Sequence, residues 1–456
     1  MAATTTTSPT VPVRHSPRGV HLGIAALAIG ALATACTGTP SQQAPVASDT
    51  PVTITFWHGW SLPQDVATLQ QNIDAFEKLH PNITVVATPN IVDDKMTQGL
   101  RTSNGPDVVS SFTTDAVGGL CSSGALVDLN PMLAADNIDK AATFIPARLD
   151  YTQYKGVQCT LPLLGDAFAL YYNTDMFTAA GISSPPKTWS EFTADAVKLT
   201  KMNNGSYDPV GFMPLFENYM STPNQWMAQW NPTYLDDAGK SVLAKDPNVS
   251  AFFQYTRTLV DALGGYAALD KYRATFGDEW SDQNAFEIGK VAMQLDGEWR
   301  IPIIKADGSK VNYAVAPLPV PDNQADTYGK SDLTGTMIGI SGKSAHQAAA
   351  WEFVKFLTTD TQALVSFGNE IYNLPSTKAA LASPDLVSDP NFKVFLDISA
   401  NQYSVASLAS CNGGNYMTVL NRFAAGWESG AINDLAGGLA DVDQQIDVAN
   451  AQCSAG

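Results

Sequence analysis

Carboxylate and indole side chains stand beside predicted strands at several places in this chain, and these residue types could recognise a polyhydroxylated ligand. Asp166 lies at the mouth of an apolar, strand-like run at 168–172, Asp115 follows another short strand, and Trp299 ends the segment 286–299. An ionised carboxylate only accepts hydrogen bonds, so two neighbouring hydroxyls can donate to it together, and charged acceptors make the stronger bonds. An indole covers the apolar C–H face of a sugar ring at little conformational cost. This set of residues suits recognition of a neutral polyol.

Each of these side chains also has a purely structural interpretation. Asp115 suits a helix N-cap, where a carboxylate accepts hydrogen bonds from free backbone amides. Trp280 and Trp299 could instead pack in a hydrophobic core, because large aromatic side chains are buried on average. The sequence alone leaves both interpretations open.

Catalysis is the second function that such carboxylates could serve. Glycoside hydrolysis uses paired acids, one as general acid and the other as nucleophile or base. The candidates for such a pair are Asp115, Asp166, Glu217, Asp296 and Glu298. Their spacing does not require a pair, and the chain contains neither a G-x-S-x-G nucleophile elbow nor an H-E-x-x-H motif. We therefore expect a protein that is not an enzyme.

Strands alternating with helices are predicted to position these residues. The run 52–57 alternates as a half-buried strand does, and 82–87 and 107–110 give two further strands. Between the first two strands, Val66, Leu69, Ile73 and Phe76 follow the spacing of an amphipathic helix. The alternation predicts an α/β fold with a mainly parallel sheet.

The second half of the chain continues this pattern with more helix. Thr188 and Glu191 fit a capping box at the start of a helix, and most of 195–301 is expected to be helical. The remaining predicted elements are strands at 311–316 and 336–341, a helix at 345–357 and a helical tail at 419–451. The roughly 400 residues that fold exceed what one core accommodates, so at least two lobes are expected.

The charge of the chain excludes some partners. The formal net charge is −18, which argues against nucleic acid and against polyanionic ligands. Acidity of this kind mainly favours solubility, so it does not by itself identify a ligand.

The first 35 residues are predicted to be a secretory signal peptide. Arg14 and Arg18 precede a mainly apolar run at 19–33, which is too short for a comfortable membrane span, and small residues lead to Cys36. Cys36 after small residues resembles a bacterial lipobox, which would make it the lipidated N-terminus of the mature protein; the alternative is ordinary cleavage after Ala35, which leaves a free thiol. Residues 36–50 have the composition of a flexible tether, and no other apolar segment is long enough to cross a bilayer.

Three segments carry a resemblance to a known family. They are LPLLGDAFALYYNTDMFTAAGISSPPKTWSEF at 161–192, the GPDVV, TDAVGG and GALVDL motifs within 105–129, and FEIGKVAMQLDGEW at 286–299. The chain resembles the extracytoplasmic sugar-binding proteins of bacterial ABC importers, of the maltose-binding-protein type, over nearly all of 52–440.

The resemblance implies a two-lobed periplasmic-binding-protein type II fold. Each lobe would hold a mixed, mainly parallel sheet flanked by helices, and the chain would cross between the lobes two or three times, near 163–165, 330–336 and 383–390. Residues 51–163 and 336–385 would form lobe 1, and residues 166–330 and 390–453 would form lobe 2, with the ligand cleft between them.

The resemblance also implies residue roles. Asp115 and Asp166 would accept hydrogen bonds from sugar hydroxyls, Trp299 would stack on a pyranose ring, and Trp280 would add a second aromatic surface. Glycines beside Asn415 would permit close backbone approach to a ligand. The full predicted ligand-binding set is Trp57, Trp60, Asp115, Asp166, Glu217, Trp226, Trp280, Glu298, Trp299, Asn415 and Tyr416.

Four cysteines remain when Cys36 is set aside. An even number in an exported protein suggests two disulfides, and the sequence allows three pairings. A zinc site is the weaker interpretation, because there is no C-x-x-C and no histidine near any of them. The resemblance favours Cys121–Cys159 and Cys411–Cys453, since it places each pair within one lobe.

The function that the resemblance implies is transport. A monomeric protein would be anchored by Cys36 to the outer face of the cell membrane, bind a neutral mono- to trisaccharide, and deliver it to the permease subunits of an ABC importer. No cofactor, metal or nucleic acid is expected. The alternative that keeps the fold is a different solute, such as iron, a polyamine or a glycerol phosphodiester, although a phosphate would call for basic residues or a helix N-terminus.

Overall fold

The computed structural model describes residues 50–216, 218–406 and 408–454. The predicted signal peptide, Cys36, nearly all of the tether and Glu217 therefore lie outside the described residues. Within the described part of the chain, no helix is both long enough and apolar enough to cross a membrane.

Twelve strands are present in the described residues. They are β1 Val52–Trp57, β2 Ile83–Thr88, β3 Val108–Ser111, β4 Leu161–Asn173, β5 Met202–Asn203, β6 Ser206–Tyr207, β7 Val210–Phe212, β8 Val291–Gly297, β9 Tyr313–Ala316, β10 Asp332–Ile340, β11 Leu374–Pro375 and β12 Val405–Ala406.

The α-helices of the described residues surround these strands. They are α1 Pro63–Leu79, α2 Asp93–Leu100, α3 Val117–Ser122, α4 Asn130–Ala135, α5 Lys140–Thr143, α6 Pro146–Asp150, α7 Thr174–Ala179, α8 Trp189–Leu199, α9 Pro223–Met227, α10 Pro247–Ala262, α11 Tyr266–Arg273, α12 Arg300–Ala306, α13 Gln347–Thr359, α14 Thr361–Ile371, α15 Lys378–Leu381, α16 Pro390–Ala400, α17 Asn415–Glu428 and α18 Leu435–Ser454. Short 3-10 turns occupy Thr114–Ala116, Ala228–Trp230 and Asp322–Thr327.

Two long strands join the halves of one mixed sheet, whose order is β2-β1-β3-β10-β4-β8-β7. The first part of β4 pairs antiparallel with β10, bringing Gly165 opposite Gly335. The second part of β4 pairs antiparallel with β8 and β9. At the two ends of the sheet, β1 pairs parallel with β2 and β7 pairs parallel with β8. The paired strands β4 and β10 thus connect both halves of the molecule.

Two large hydrophobic cores lie on either side of this connection. The first core takes its buried residues from 54–164 and 338–380, including Phe56, Phe76 and Phe353. The second core takes them from 168–318 and 416–446. A smaller cluster at the junction packs α16 against β4 through Phe395 and Tyr171. Residues 51–163 with 336–385, and 166–330 with 390–453, remain our proposed lobe boundaries, which these cores support.

Several local predictions agree with the structure. The predicted capping box is present, since the Thr188 hydroxyl accepts from the amide of Glu191 and the Glu191 carboxylate accepts from the amide of Thr188. Both predicted disulfides are also present: Cys121 pairs with Cys159, and Cys411 pairs with Cys453. Each bridge joins a helix to a neighbouring segment, α3 in the first case and α18 in the second.

The mostly helical prediction for 195–301 is wrong in part. This region also contains four strands, the longest of which is β8. Every residue of β8 is buried, so the strand lacks the alternation of a half-buried strand and cannot be told from a buried helix by periodicity alone.

Candidate ligand-binding site

A cavity of about 750 Å³ opens between the segments that contribute to the two cores. The β1–α1 connection, the 3-10 turn at Thr114–Ala116 and the loop after α14 line one side. The start of α9, Trp280, α12 and α17 line the other side, while β4 and β10 cross the floor. The two strands that join the halves of the sheet therefore also position the floor of the site.

Five aromatic rings face this cavity: Trp60, Phe112, Phe168, Trp280 and Trp299. Four of them form two edge-to-face pairs: the ring centroids of Trp60 and Phe112 are 5.4 Å apart, and those of Phe168 and Trp299 are 5.8 Å apart. Such pairs fix ring orientation, so the faces that remain free are preset for stacking.

A glycine under Trp299 lets its indole lie close to the backbone. A Cβ on Gly297 would come within 2.3 Å of the Trp299 ring, so only glycine leaves room for the indole in this position. The Trp299 ring nitrogen is buried and has no hydrogen-bond partner among the described residues. The ring is thus held by packing rather than by a polar contact.

Five carboxylates line the same cavity: Asp65, Asp115, Asp166, Asp332 and Glu370. No lysine, arginine or histidine lines it in the described part of the chain. Asp65 and Glu370 lie close enough that the charge of Glu370, after burial, helps to raise the pKa of Asp65 to about 6. The cavity is therefore both aromatic and strongly acidic.

Asp166 lies on the floor of the cavity beside a second, deeper carboxyl group. Asn373 donates its amide to Asp166 and, at 3.0 Å, to Glu298. Glu298 also accepts from the amide of Ala167 at 3.1 Å. Burial raises the pKa of Asp166 to about 6, even though a hydrogen bond with Glu298 lowers it. Burial, followed by the charge of Asp166, raises the pKa of Glu298 further, so Glu298 holds the proton that the pair shares.

A buried arginine lies behind this pair. Arg148 donates to the carbonyls of Leu374 and Pro375 and to the Ser399 hydroxyl. Burial lowers its pKa, while the charges of Glu298 and Asp166 act in the opposite direction. Arg148 does not reach the cavity surface, so it offsets the charge of the floor without offering a contact to a ligand.

Asp332, the first residue of β10, lines the cavity and is only 2% exposed. Its carboxylate accepts from the Asn224 amide at 2.8 Å, and Asn224 in turn accepts from the Tyr234 hydroxyl at 2.5 Å. Burial, followed by the charge of Asp115, raises the pKa of Asp332 to about 7. This chain of hydrogen bonds fixes the orientation of an acid that has no cationic partner in the described part of the chain.

Asp115 reaches the cavity from the 3-10 turn before α3. Burial raises its pKa, and the charge of Asp93 adds to the effect. Its carboxylate lies against the backbone of Gly414, where a Cβ would stand only 2.0 Å from the Asp115 Oδ2. Because Gly414 precedes α17 of the second core, this contact connects the two sides of the cleft.

A second buried cation lies beneath Trp280. Arg300 bonds Asp296 at 2.7 Å and Glu287 at 3.3 Å, and Glu279 lies 3.9 Å away. Burial lowers the pKa of Arg300, but attraction to Asp296 outweighs it and the pKa is raised overall. The guanidinium carbon lies 5.5 Å from the centroid of the Trp280 ring. Arg300 therefore supports an indole that is itself half exposed to the cleft.

The structure brings five of the predicted ligand-binding residues to the cavity: Trp60, Asp115, Asp166, Trp280 and Trp299. Asp115 and Asp166 also belong to the catalytic set that the sequence left as an alternative. Of the other members of that set, Asp296 and Glu298 are fully buried and do not line the cavity.

Five other predicted residues do not line it, and each has a physical reason. Trp226 stacks on Trp189 in the second core, with centroids 5.8 Å apart. Trp57 packs against Gly99 of α2, on the far side of β1. Glu298 lies one layer below the surface, where it contacts Asp166 instead of a ligand.

Asn415 and Tyr416 miss the cavity because of the phase of helix α17. The Tyr416 hydroxyl donates to the Leu408 carbonyl at 2.9 Å, and its ring belongs to the second core. Met417 and Asn421, one turn apart on the same helix, line the cavity instead.

Other cavity residues were not predicted from the sequence. They are Asp65, Phe112, Phe168, Asn224, Asp332, Glu370 and Asn373, together with Thr114 and Thr336. The signal for one of them was present: Asp332 is a lone acid at the start of an apolar run, the same pattern that drew attention to Asp166. The others lie in segments whose course only the folded chain reveals.

Comparison with known proteins adds a family and a fold. A family model described as "Bacterial extracellular solute-binding protein" matches residues 59–364. The maltotriose-binding protein of Pyrococcus abyssi is 23% identical over 340 residues, which cover 74% of this chain and 69% of the relative. Among solved structures, CpMnBP1 with mannotriose bound is 25% identical with a TM-score of 0.76, covering 87% of this chain and 100% of that chain. The sugar-binding protein MalE from the phytopathogen Xanthomonas citri has a TM-score of 0.70 at 20% identity, over 88% and 98% of the two chains.

Proposed function

The chain belongs to the bacterial extracellular solute-binding protein family, and we propose from this premise that its cavity binds a mono- to trisaccharide for an ABC importer. Its fold is that of the two-lobed, maltose-binding-protein-like members. The relatives named above bind maltotriose and mannotriose, which supports a carbohydrate as the ligand class.

The observation that carries this proposal is that aromatic rings and carboxylates line one cavity. Trp299 and Trp280 offer flat apolar faces, while Asp115 and Asp166 offer hydrogen-bond acceptors. A sugar ring has apolar C–H faces and a polar rim, so it needs both kinds of partner at right angles to each other. The cavity volume of about 750 Å³ lies within the range of small-ligand sites.

A phosphate-bearing ligand and a glycosidase fit this cavity less well. A phosphate is best bound by cationic donors, whereas the described lining offers five carboxylates and no basic side chain. Glycosidases keep their two acids about 5 Å or more apart on either side of the scissile bond. Asp166 and Glu298 instead hydrogen-bond each other, and only one of them reaches the cavity.

Binding is tested by titrating the purified protein with a panel of mono-, di- and trisaccharides. Isothermal calorimetry gives the affinity, and tryptophan fluorescence reports on Trp280 and Trp299 in the same samples. We expect at least one sugar of the panel to bind and to change the fluorescence. Absence of heat and of any spectral change across the whole panel would overturn the proposal.

The family is extracellular, so the protein acts outside the cytoplasm. We further propose that Cys36 carries a lipid anchor and that the tether from Cys36 lets a monomer reach the permease subunits from the outer face of the membrane. The small residues before Cys36 and the apolar run at 19–33 support this anchoring. In Cys36→Ala the protein should move from the membrane fraction to the medium. If Cys36→Ser stays in the membrane fraction in the same amount as the wild type, the proposed anchor is wrong.

A further inference from the structure

Five carboxylates line the cavity, and no basic side chain of the described residues lines it with them. Asp115 and Asp332 both line the cavity and interact electrostatically. Resting on the proposed function, we propose that this site prefers a carbohydrate that carries a protonated amino group, which Asp115 and Asp332 receive between them.

Asp332 is held in a fixed orientation for this role. The side chain is 2% exposed, and the Asn224 amide, itself held by Tyr234, binds one of its two oxygens. The backbone of Gly414 confines Asp115 from the other side. A carboxylate that is already oriented loses little entropy when a ligand cation meets it.

Two threonine hydroxyls complete the subsite. Thr114 precedes Asp115 and Thr336 lies on β10 with Asp332; the two residues are 3% and 2% exposed, and both line the cavity. Neither hydroxyl forms a hydrogen bond with another described residue, so each is free at the cavity wall to donate to or accept from a ligand.

An ammonium group matches this set of acceptors. It has three N–H donors and no acceptor, and it can donate to two carboxylates and a hydroxyl at once. A hydroxyl at the same place donates one hydrogen bond and brings no positive charge to the two acids. The ammonium satisfies the same acceptors and also cancels charge, which makes its hydrogen bonds the stronger ones.

Other cations fit less well. In the described residues, no group of three or more His, Cys, Asp or Glu has the arrangement of a metal site. The buried cations Arg148 and Arg300 neutralise other acids: Arg300 bonds Asp296 and Glu287, and Arg148 lies behind Asp166 and Glu298. Neither buried arginine pairs with Asp115 or Asp332, and the aromatic rings that line the same cavity still call for a sugar ring.

The experiment compares sugars that differ only in one group. Calorimetry measures the affinity of glucosamine, mannosamine and galactosamine oligomers against the corresponding N-acetylated and hydroxyl-bearing sugars. We expect the amine-bearing member of at least one series to bind about tenfold tighter than both counterparts, and its advantage to shrink as ionic strength rises.

Two variants test which acid causes the preference for amine-bearing sugars. Asp332→Asn keeps an acceptor for Asn224 but removes a charge, so the ratio of amine to hydroxyl affinities should fall to within about threefold. Asp65→Asn is the matched control: it also removes one charge from the cavity, but from the pair with Glu370. It should keep most of the difference between amine and hydroxyl affinities. If Asp332→Asn lowers the affinities for the amine-bearing and the hydroxyl-bearing sugar by the same factor, with unchanged melting temperature, Asp332 shapes the site rather than binding the cation. That result would overturn the inference.

Failure of the inference and of the proposed function give different results. If neutral sugars bind and no amine-bearing counterpart binds tighter, the inference is overturned and the proposed function stands. If neither kind of sugar binds in any series, the proposed function fails and the inference fails with it.

Discussion

Asp166 and Glu298 hydrogen-bond each other at the floor of the cleft, and the single amide of Asn373 donates to both. Only Asp166 reaches the cavity, while Glu298 is fully buried beneath it. Two acids in contact cannot both be ionised at low cost, so the deeper one keeps a proton and the exposed one accepts hydrogen bonds from a ligand.

This pair predicts how stability depends on pH. Burial raises the pKa of Asp166 to about 6 and that of Glu298 further, so the folded protein binds protons more tightly than the unfolded chain. The stabilising contribution is fully present below the unfolded pKa of about 4 and is lost as pH rises through the folded values. The free energy of unfolding without ligand should therefore fall from about pH 4 to pH 8.

Urea unfolding across that pH range provides the measurement. Glu298→Gln replaces the protonated acid by an amide that no longer titrates, so its free energy of unfolding should fall less with pH. Asp94→Asn, which changes an exposed carboxylate, serves as the control and should keep the wild-type slope. A slope in Glu298→Gln equal to that of the wild type would show that the pair does not share a proton.

Trp299→Ala should weaken carbohydrate binding by about 2 to 4 kcal/mol, the range seen for buried aromatic anchors. The Trp299 ring packs edge-to-face against Phe168 and lies close to Gly297, and it faces the cavity. The melting temperature without ligand should therefore change little. Trp57→Ala is the matched control because Trp57 lies outside the cavity. A large drop in melting temperature for Trp299→Ala would assign the indole to the core.

The sequence carried enough information for the fold class and for part of the site. Asp166 and Trp299 lie in segments whose order of strand, acid, glycine and indole is distinctive, and both line the cavity. Trp226 shows the limit: its spacing in a helical segment is the same whether the ring faces a core or a cleft, and only the partner, here Trp189, decides. A single sequence does not specify that partner.

The rotational phase of a helix is a second feature that the sequence alone does not specify. The glycine-rich approach to α17 predicts ligand contacts at Asn415 and Tyr416, whereas Met417 and Asn421 of the same helix line the cavity. A side chain one position along a helix points about 100° away, so an error of one residue moves a predicted contact from the cleft into the core. Tyr416 is buried for that reason.

Gly414→Ala tests the contact between the two sides of the cleft. A Cβ at this position would stand 2.0 Å from the Asp115 Oδ2, and the backbone φ of +80° disfavours any other residue. Displacing Asp115 removes a charged acceptor, so carbohydrate affinity should fall about tenfold or more.

Gly430→Ala is the control that separates the effect of backbone strain from the effect of displacing the Asp115 side chain. Gly430 also has a positive φ, +77°, but nothing lies within 4 Å of its Cβ position. Both variants should lose about 1 kcal/mol of stability through backbone strain, and only Gly414→Ala should lose affinity. Equal affinities in the two variants would remove Asp115 from the ligand contacts.

Arg300→Met should destabilise the folded protein by about 3 to 5 kcal/mol, because it leaves a buried carboxylate cluster without its cation. Asp296 and Glu287 are almost fully buried, and both are bonded to Arg300. Burial, opposed by Arg300, raises the pKa of Glu287 to about 7, so without the cation Glu287 would take up a proton at still higher pH. The loss of stability should therefore be larger at about pH 8 than at pH 5, where protonation relieves the repulsion.

Urea unfolding at both pH values measures this difference, with Arg101→Met on the surface as the control. An equal loss at the two pH values would mean that Arg300 stabilises the protein by packing beneath Trp280 rather than by charge.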